Sequence, residues 1–376
     1  MSSMKIALVH DYLREYGGAE RVLEALHELF PEAPVYVAFF DANALGDYAH
    51  RFQGWDIRET KLTELPLYKK LFSPYRVFAA WAFEQLDLSE YDLVISSTNA
   101  YQSKAVRVST GAKHLSYVHT PSRALYGFST KTNWKKNPVI RVAGEVMNFW
   151  MRWVDFRTAQ RPDVLIANST TTQQRIRKFW RRDSVIIPPP VALVDSTEAG
   201  VSDSVSKTSS QDRSYLLFVG RLVLSKHPEK AVQVSNELGL PLKVVGTGAM
   251  LEALQKQAGP QVEFLGAVDD TQLAHLYRHA KLVLFPAEDE DFGLVPIEAQ
   301  SQGTPVVAHF SGEPRFTVQP GKTGEHVRSF ELDDWKQQTK KAWDARWSSA
   351  TISKSVQKYS YAAFSRAIKR LIEKTV

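Results

Sequence analysis

The chain has 376 residues and no cysteine. Disulfides, cysteine–zinc sites and thiol nucleophiles are therefore excluded, and a reducing compartment fits. Long apolar runs are missing too: none approaches the roughly 18 residues of a membrane span. The first apolar run, Ile6 to Val9, halts at His10 and Asp11, too soon for the core of an export signal. The expectation is a cytoplasmic protein, soluble or peripheral to the cytoplasmic membrane face. The dinucleotide fingerprint G-x-G-x-x-G is also absent, and no nucleic-acid motif accompanies the net charge of +6, so no nucleic-acid partner is expected.

The chain does contain a regular alternation of short apolar runs and amphipathic stretches, the pattern of α/β folds with parallel sheets. Ile6 to Val9, Val35 to Phe39, Leu93 to Ser96, Leu115 to Val118 and Val164 to Ala167 read as strands, and Ala19 to Leu29 as a helix. Pro188, Pro189 and Pro190 can extend neither a helix nor a central strand, and a polar stretch follows. The strand pattern restarts at Tyr215 to Val219 and continues at Leu242, Val262, Leu282 and Pro305, with helices from about Pro228, Met250, Thr271 and Pro296. The implied organisation is two doubly wound domains, 1–190 and 215–356, a polar linker over 191–214, and a last helix in 357–376 that crosses back to the first domain. In such folds ligands sit at the carboxyl ends of the strands, so the strand-to-helix loops are where function is sought.

The most informative of these loops runs from Glu290 to Glu298. It follows an apolar strand and carries two carboxylates eight positions apart, with Phe292–Gly293 between them and a helix start just after. Backbone N–H groups at such a start face phosphate, while carboxylates accept hydrogen bonds from sugar hydroxyls. Arg221 and Lys226, on the loop after Tyr215 to Val219, could clamp a diphosphate; alone, a basic loop is usually just solvated. Gly246 and Gly248 could bring backbone near a nucleotide, or could merely form a turn. Gly17 and Gly18, after the first strand, leave room for phosphate or simply turn the chain. His119, with Arg123 nearby, ends another strand; it could bind a sugar hydroxyl or shuttle a proton, or be a structural hydrogen-bonder. Asp289 and Asp291 invite a metal reading, but Arg221 and Lys226 already supply positive charge, so no metal is expected.

Taken together the loops resemble the family 4 retaining glycosyltransferases of the GT-B fold, two Rossmann-like domains facing a cleft. The resemblance rests on Lys5 to Leu13, Gly17 to Glu20, Tyr117 to Arg123, Phe218 to Leu222, Glu290 to Glu298 and Gly303 to Ala308, and in the first half it is closest to bacterial mannosyltransferases of O-antigen and related surface polysaccharides. It implies that Glu290 holds donor-sugar hydroxyls, Glu298 binds the ribose, and the backbone of Phe292, Gly293 and Leu294 contacts sugar or phosphate. Arg221 and Lys226 would grip the diphosphate, His119 would lie beside the sugar, Gly17 and Gly18 beside phosphate and acceptor, and Arg123 on the acceptor side. It also implies a nucleotide diphosphate sugar as donor, GDP-mannose favoured, with no further cofactor, and a glycan or polyprenyl-linked acceptor. One stretch departs from the family pattern: Glu313 stands where a second glycine is usual and Phe316 where a glutamate is usual. The local sugar or acceptor contacts of that loop therefore do not carry over. The readings that compete with a transferase are a sugar-nucleotide epimerase or hydrolase of the same fold, and a non-catalytic nucleotide-sugar-binding protein.

Between Lys131 and Arg182 there are twelve Lys/Arg and three Asp/Glu, with Trp134, Trp150, Trp153 and Trp180 among them. This mixture, and a similar one from Pro66 to Trp81, fits either contact with an anionic membrane or aromatic residues packed in a helical core.

Overall fold

The computed structural model describes residues 4–128, 138–191 and 213–376. The chain divides into two compact units: Met1–Pro190 together with Tyr361–Val376, and Val191–Ser360. Nearly all of the stretch read as a linker lies outside the described residues, as do Lys131 and Trp134.

The first unit holds a seven-stranded sheet made of β1 (Ile6–His10), β2 (Val35–Val37), β3 (Ile57–Glu59), β4 (Leu93–Thr98), β5 (Lys113–Val118), β6 (Val164–Ala167) and β7 (Val185–Ile186). Its order is β3-β2-β1-β4-β5-β6-β7, and every pairing is parallel. The central strands β1, β4 and β5 are buried at every position after the first residue of β1 and of β5, because helices cover both faces, which is why they read as apolar runs without alternation. The helix Gly18–Leu29 buries Val22, Leu23, Ala25 and Leu26 in the cluster that also holds Phe364, Ile368 and Ile372 of the last helix, Tyr361–Thr375. The four-residue spacing of those three side chains forms one stripe along that helix.

The second unit repeats the plan with β8 (Tyr215–Val219), β9 (Leu242–Val245), β10 (Val262–Gly266), β11 (Ala280–Phe285), β12 (Val306–His309) and β13 (Gly324–Val327). The order is β10-β9-β8-β11-β12-β13, again all parallel. In each sheet the strand order reverses beside the first strand, between β1 and β4 in one and between β8 and β11 in the other. Those reversals open a crevice at the carboxyl ends where a doubly wound sheet takes its ligand. Among the described residues, no helix is long and apolar enough to cross a membrane.

Candidate functional site

In the second unit the crevice lies between the loops that follow β8 and β11. Strand adjacency brings Lys226 and Glu290, 64 positions apart, into an ion pair between Nζ and Oε2, with both side chains largely buried. Arg221 is exposed on the same basic loop. The loop after β11 then turns into the helix Leu294–Ser301, which starts two residues before the expected Pro296. Gly293 makes this possible: its φ of 79° lies in the left-handed region that favours glycine. The first-turn N–H groups of Leu294 and Val295 are left without intrahelical partners. The Phe292 ring is buried, edge-on to Tyr359, so packing fixes the backbone beside it.

The two glutamates have different surroundings. Glu290 faces Lys226, while Glu298, one helical turn in, accepts the Tyr277 hydroxyl at 3.0 Å. Glu290 is also positioned from behind. Its carbonyl accepts the N–H of Glu313 at 2.9 Å, and a Cβ on Gly312 would stand 2.3 Å from that same carbonyl oxygen. The stretch that departs from the family pattern therefore serves as the floor under the acidic loop. Gly246 and Gly248 have a packing reason too: a Cβ on the first would lie 2.0 Å from the Gly220 carbonyl oxygen, and on the second 2.4 Å from that of Leu222. They let the β9 loop sit directly on the basic loop.

In the first unit β1, β4 and β5 end side by side and present a buried polar chain. His119 Nε2 lies 2.8 Å from Ser97 Oγ, Ser97 Oγ lies 3.0 Å from His10 Nδ1, and His10 Nε2 faces Glu20 at 3.5 Å. A lone pair pointed at the Glu20 carboxylate would be repelled, so the His10 proton belongs on Nε2 and Nδ1 accepts from Ser97. Ser97 Oγ then accepts from His119 Nε2–H, which leaves His119 Nδ1 as an acceptor. Burial, helped by His10, pushes the His119 ring down to about 3. It is neutral near pH 7, which suits a hydrogen-bonding role and not a proton-shuttling one. The N–H of Gly17 is taken by Glu20 at 2.8 Å, whereas Gly18 opens the helix. Asp11 accepts the N–H groups of Asn99, Tyr101 and Ser103 at 2.7 to 3.0 Å, moulding the loop after β4. Arg123 is half-buried in the loop after β5. Among the described residues, no group of three or more His, Asp or Glu side chains is placed to hold a metal ion.

Residues 16–194 match the family described as Glycosyltransferase Family 4, and residues 202–366 match Glycosyl transferases group 1. Between them the two matches take in nearly the whole chain. The chain belongs to the family 4 glycosyltransferases. Relatives include the D-inositol 3-phosphate glycosyltransferase of Rhodococcus erythropolis, 32% identical over 194 residues, which is 46% of this chain and 44% of that one. The protein of the same name from Mycobacteroides abscessus is 37% identical over 135 residues, 33% of this chain and 30% of that one. The matched part thus spans less than half the length of these curated relatives. Among solved structures, a sucrose-phosphate synthase from Thermosynechococcus elongatus overlays with a TM-score of 0.67 at 21% identity, covering 99% of this chain and 98% of the other. A lipopolysaccharide outer core galactosyltransferase, WaaB, overlays at 0.66 and 15% identity, covering 99% and 100%. These likenesses show the shared GT-B fold.

Several residues of this family 4 chain that shape the two crevices carry no obvious signal in the sequence. Ser97 is one; its only trace is a run of polar residues, Ser96, Ser97 and Thr98, ending an otherwise apolar strand. Ser311 and His309 are others. His309 Nδ1 lies 2.9 Å from Ser311 Oγ, which accepts the N–H of Asp289 at 3.0 Å. Burial and the neighbouring His227 lower the pKa of His309, favouring the neutral ring in that contact.

Proposed function

We propose that this chain transfers a hexose from a nucleotide diphosphate sugar to an acceptor hydroxyl, with retention at the anomeric carbon. The observation that carries the reading is the Lys226–Glu290 pair at the crevice of the second sheet, immediately before the free amides of the helix Leu294–Ser301. Cation and amides offer preorganised positive potential to a departing diphosphate, and the carboxylate offers an acceptor to sugar hydroxyls. Arg221 adds a second cation, and Glu298 takes the ribose. The acceptor oxygen bonds to the anomeric carbon as the bond from that carbon to the diphosphate breaks. The acceptor proton passes to the leaving phosphate oxygen, so no separate base is required. His119, neutral and fixed in orientation, receives a hydrogen bond from a sugar hydroxyl. Gly17, Gly18 and Arg123 serve the acceptor side, and the first unit is the acceptor domain.

Mannose carried on GDP is the favoured donor, no metal takes part, and a glycan or polyprenyl-linked glycan of a surface polysaccharide is the favoured acceptor. The relatives' printed names make inositol phosphate a second acceptor to try. A thermal-shift screen of GDP- and UDP-sugars, followed by product analysis with and without acceptors, tests the reading. A true donor raises the melting temperature by mass action and yields a glycoside with retained configuration. Binding without turnover across a broad acceptor panel would favour a non-catalytic sensor, and an altered or hydrolysed sugar nucleotide without acceptor would favour an epimerase or hydrolase.

A further inference from the structure

The helix Pro138–Thr158 is turned inside out relative to the usual rule for a surface helix. Among its described side chains, the buried positions are Met151, Asp155 and Thr158, whereas Val146, Phe149, Trp150 and Trp153 are 67%, 71%, 46% and 54% exposed. The reason lies in what Asp155 holds. Its carboxylate accepts Lys104 Nζ, the Tyr126 hydroxyl and Trp180 Nε1 at 2.7 Å each, and Gln102 Nε2 at 2.9 Å. Lys104 is itself fully buried. Rolling the helix to bury its indoles would pull Asp155 from four donors and strand the Lys104 charge in the interior. The buried pair therefore sets the rotation of the helix and faces its aromatic side outward.

The neighbouring surface has the same character. Val154 packs against the cluster that holds Ala79, Ala82 and Phe83, while Phe78 and Trp81 of that stretch leave their rings half exposed. Charge accompanies the rings. The Arg157 guanidinium stands 5.2 Å from the centroid of Trp153, is exposed, and lies in the strongly basic segment of a chain with net charge +6. Exposed indole rings with a guanidinium over one of them match the headgroup layer of an anionic bilayer, where ring bodies enter the acyl boundary and guanidinium groups meet phosphate.

We infer that the outward face of this helix, formed by Val146, Phe149, Trp150 and Trp153 with Arg157, docks the protein on an anionic lipid surface. The inference does not depend on the proposed transfer reaction, since no substrate enters it.

The test is flotation of the full chain with phosphatidylglycerol–phosphatidylcholine vesicles and with phosphatidylcholine alone, alongside the double variant Phe149→Ser/Trp153→Ser. The expected result is co-flotation with the anionic vesicles, weakening as salt rises, a blue shift of tryptophan emission, and at least a tenfold loss of binding in the variant. Because both side chains are exposed, its melting temperature should stay that of the parent, which separates lost docking from lost folding. Absence of flotation with anionic vesicles overturns the inference, and so does undiminished binding by the folded variant. Sedimentation showing a dimer that these substitutions dissociate, with no vesicle binding, would assign the face to a second copy instead.

Discussion

Ser97 Oγ stands 2.8 Å from Nε2 of His119, and this single hydroxyl connects the histidine to His10 and Glu20. Ser97→Ala removes the acceptor for His119 Nε2–H while barely changing side-chain volume. An unpaired buried donor costs about 1–3 kcal/mol of stability, so the melting temperature should fall, and with the ring's orientation released kcat/KM for the nucleotide sugar should fall as well. Nitrogen NMR of the parent should show His119 protonated at Nε2 and bare at Nδ1, with that preference weakened in the variant. The reverse tautomer in the parent would break the proposed chain of donors.

Lys226→Ala and Glu290→Gln should each lower turnover by orders of magnitude in protein that remains folded, since each takes one charge from the pair that faces the proposed donor. Steady-state kinetics together with circular dichroism check this. Near-normal rates in both purified variants would remove these residues from the site.

Gly312→Ala should impair activity although Gly312 itself is assigned no contact with the substrate. The new Cβ would sit 2.3 Å from the Glu290 carbonyl oxygen at a backbone φ of 60°, so the acidic loop must shift. Displacements of about 1 Å at a reacting centre can cost a hundredfold. The expected pattern is a reduced kcat, with a melting temperature lowered by a few degrees.

Acid should destabilise the fold through two buried histidines. Burial pushes His114 and His119 each from an ordinary 6.5 down to about 3. Between those limits the unfolded chain binds protons that the folded chain refuses. The stabilisation is therefore complete above about pH 6.5 and is lost as pH falls towards about 3. Melting temperature measured against pH should fall through this window, and His114→Asn should flatten the slope.

Lys104→Met should destabilise the first unit by about 3–5 kcal/mol, the usual cost of breaking one side of a buried ion pair. Burial alone would push the Asp155 carboxyl up; Lys104, Tyr126 and Trp180 outweigh it and hold its pKa below the ordinary value. Chemical denaturation checks the size of the loss.

The alternation of strands and helices was legible because parallel strands covered on both faces must be apolar throughout. The loops after β5, β8 and β11 stood out because charged and glycine residues interrupt those runs. Ile57–Glu59 was not legible: it is an edge strand of three residues with mostly exposed side chains, so no burial imprints a pattern. The helix Leu332–Asp344 was missed because Thr339 and Ala342 complete the stripe begun by Trp335, and neither announces a buried position. The pairing of Lys226 with Glu290 became visible only through strand order, which brings β8 beside β11 across 64 positions. Ser97, Ser311 and Gly312 act through geometry on residues far along the chain, and residue type alone says nothing of that.

The loops after β8, β9 and β10 overlap like roof tiles. Gly246 lies against Gly220, Gly248 against Leu222, and the N–H of Gly246 reaches the Gly266 carbonyl at 2.7 Å. With backbone laid on backbone, there is no gap into which a new side chain could grow. Laboratory evolution of donor preference should therefore stall at the glycines and find its freedom at the outer lip, where Leu224 is exposed to solvent. This rim has a fixed inner course and an editable outer one.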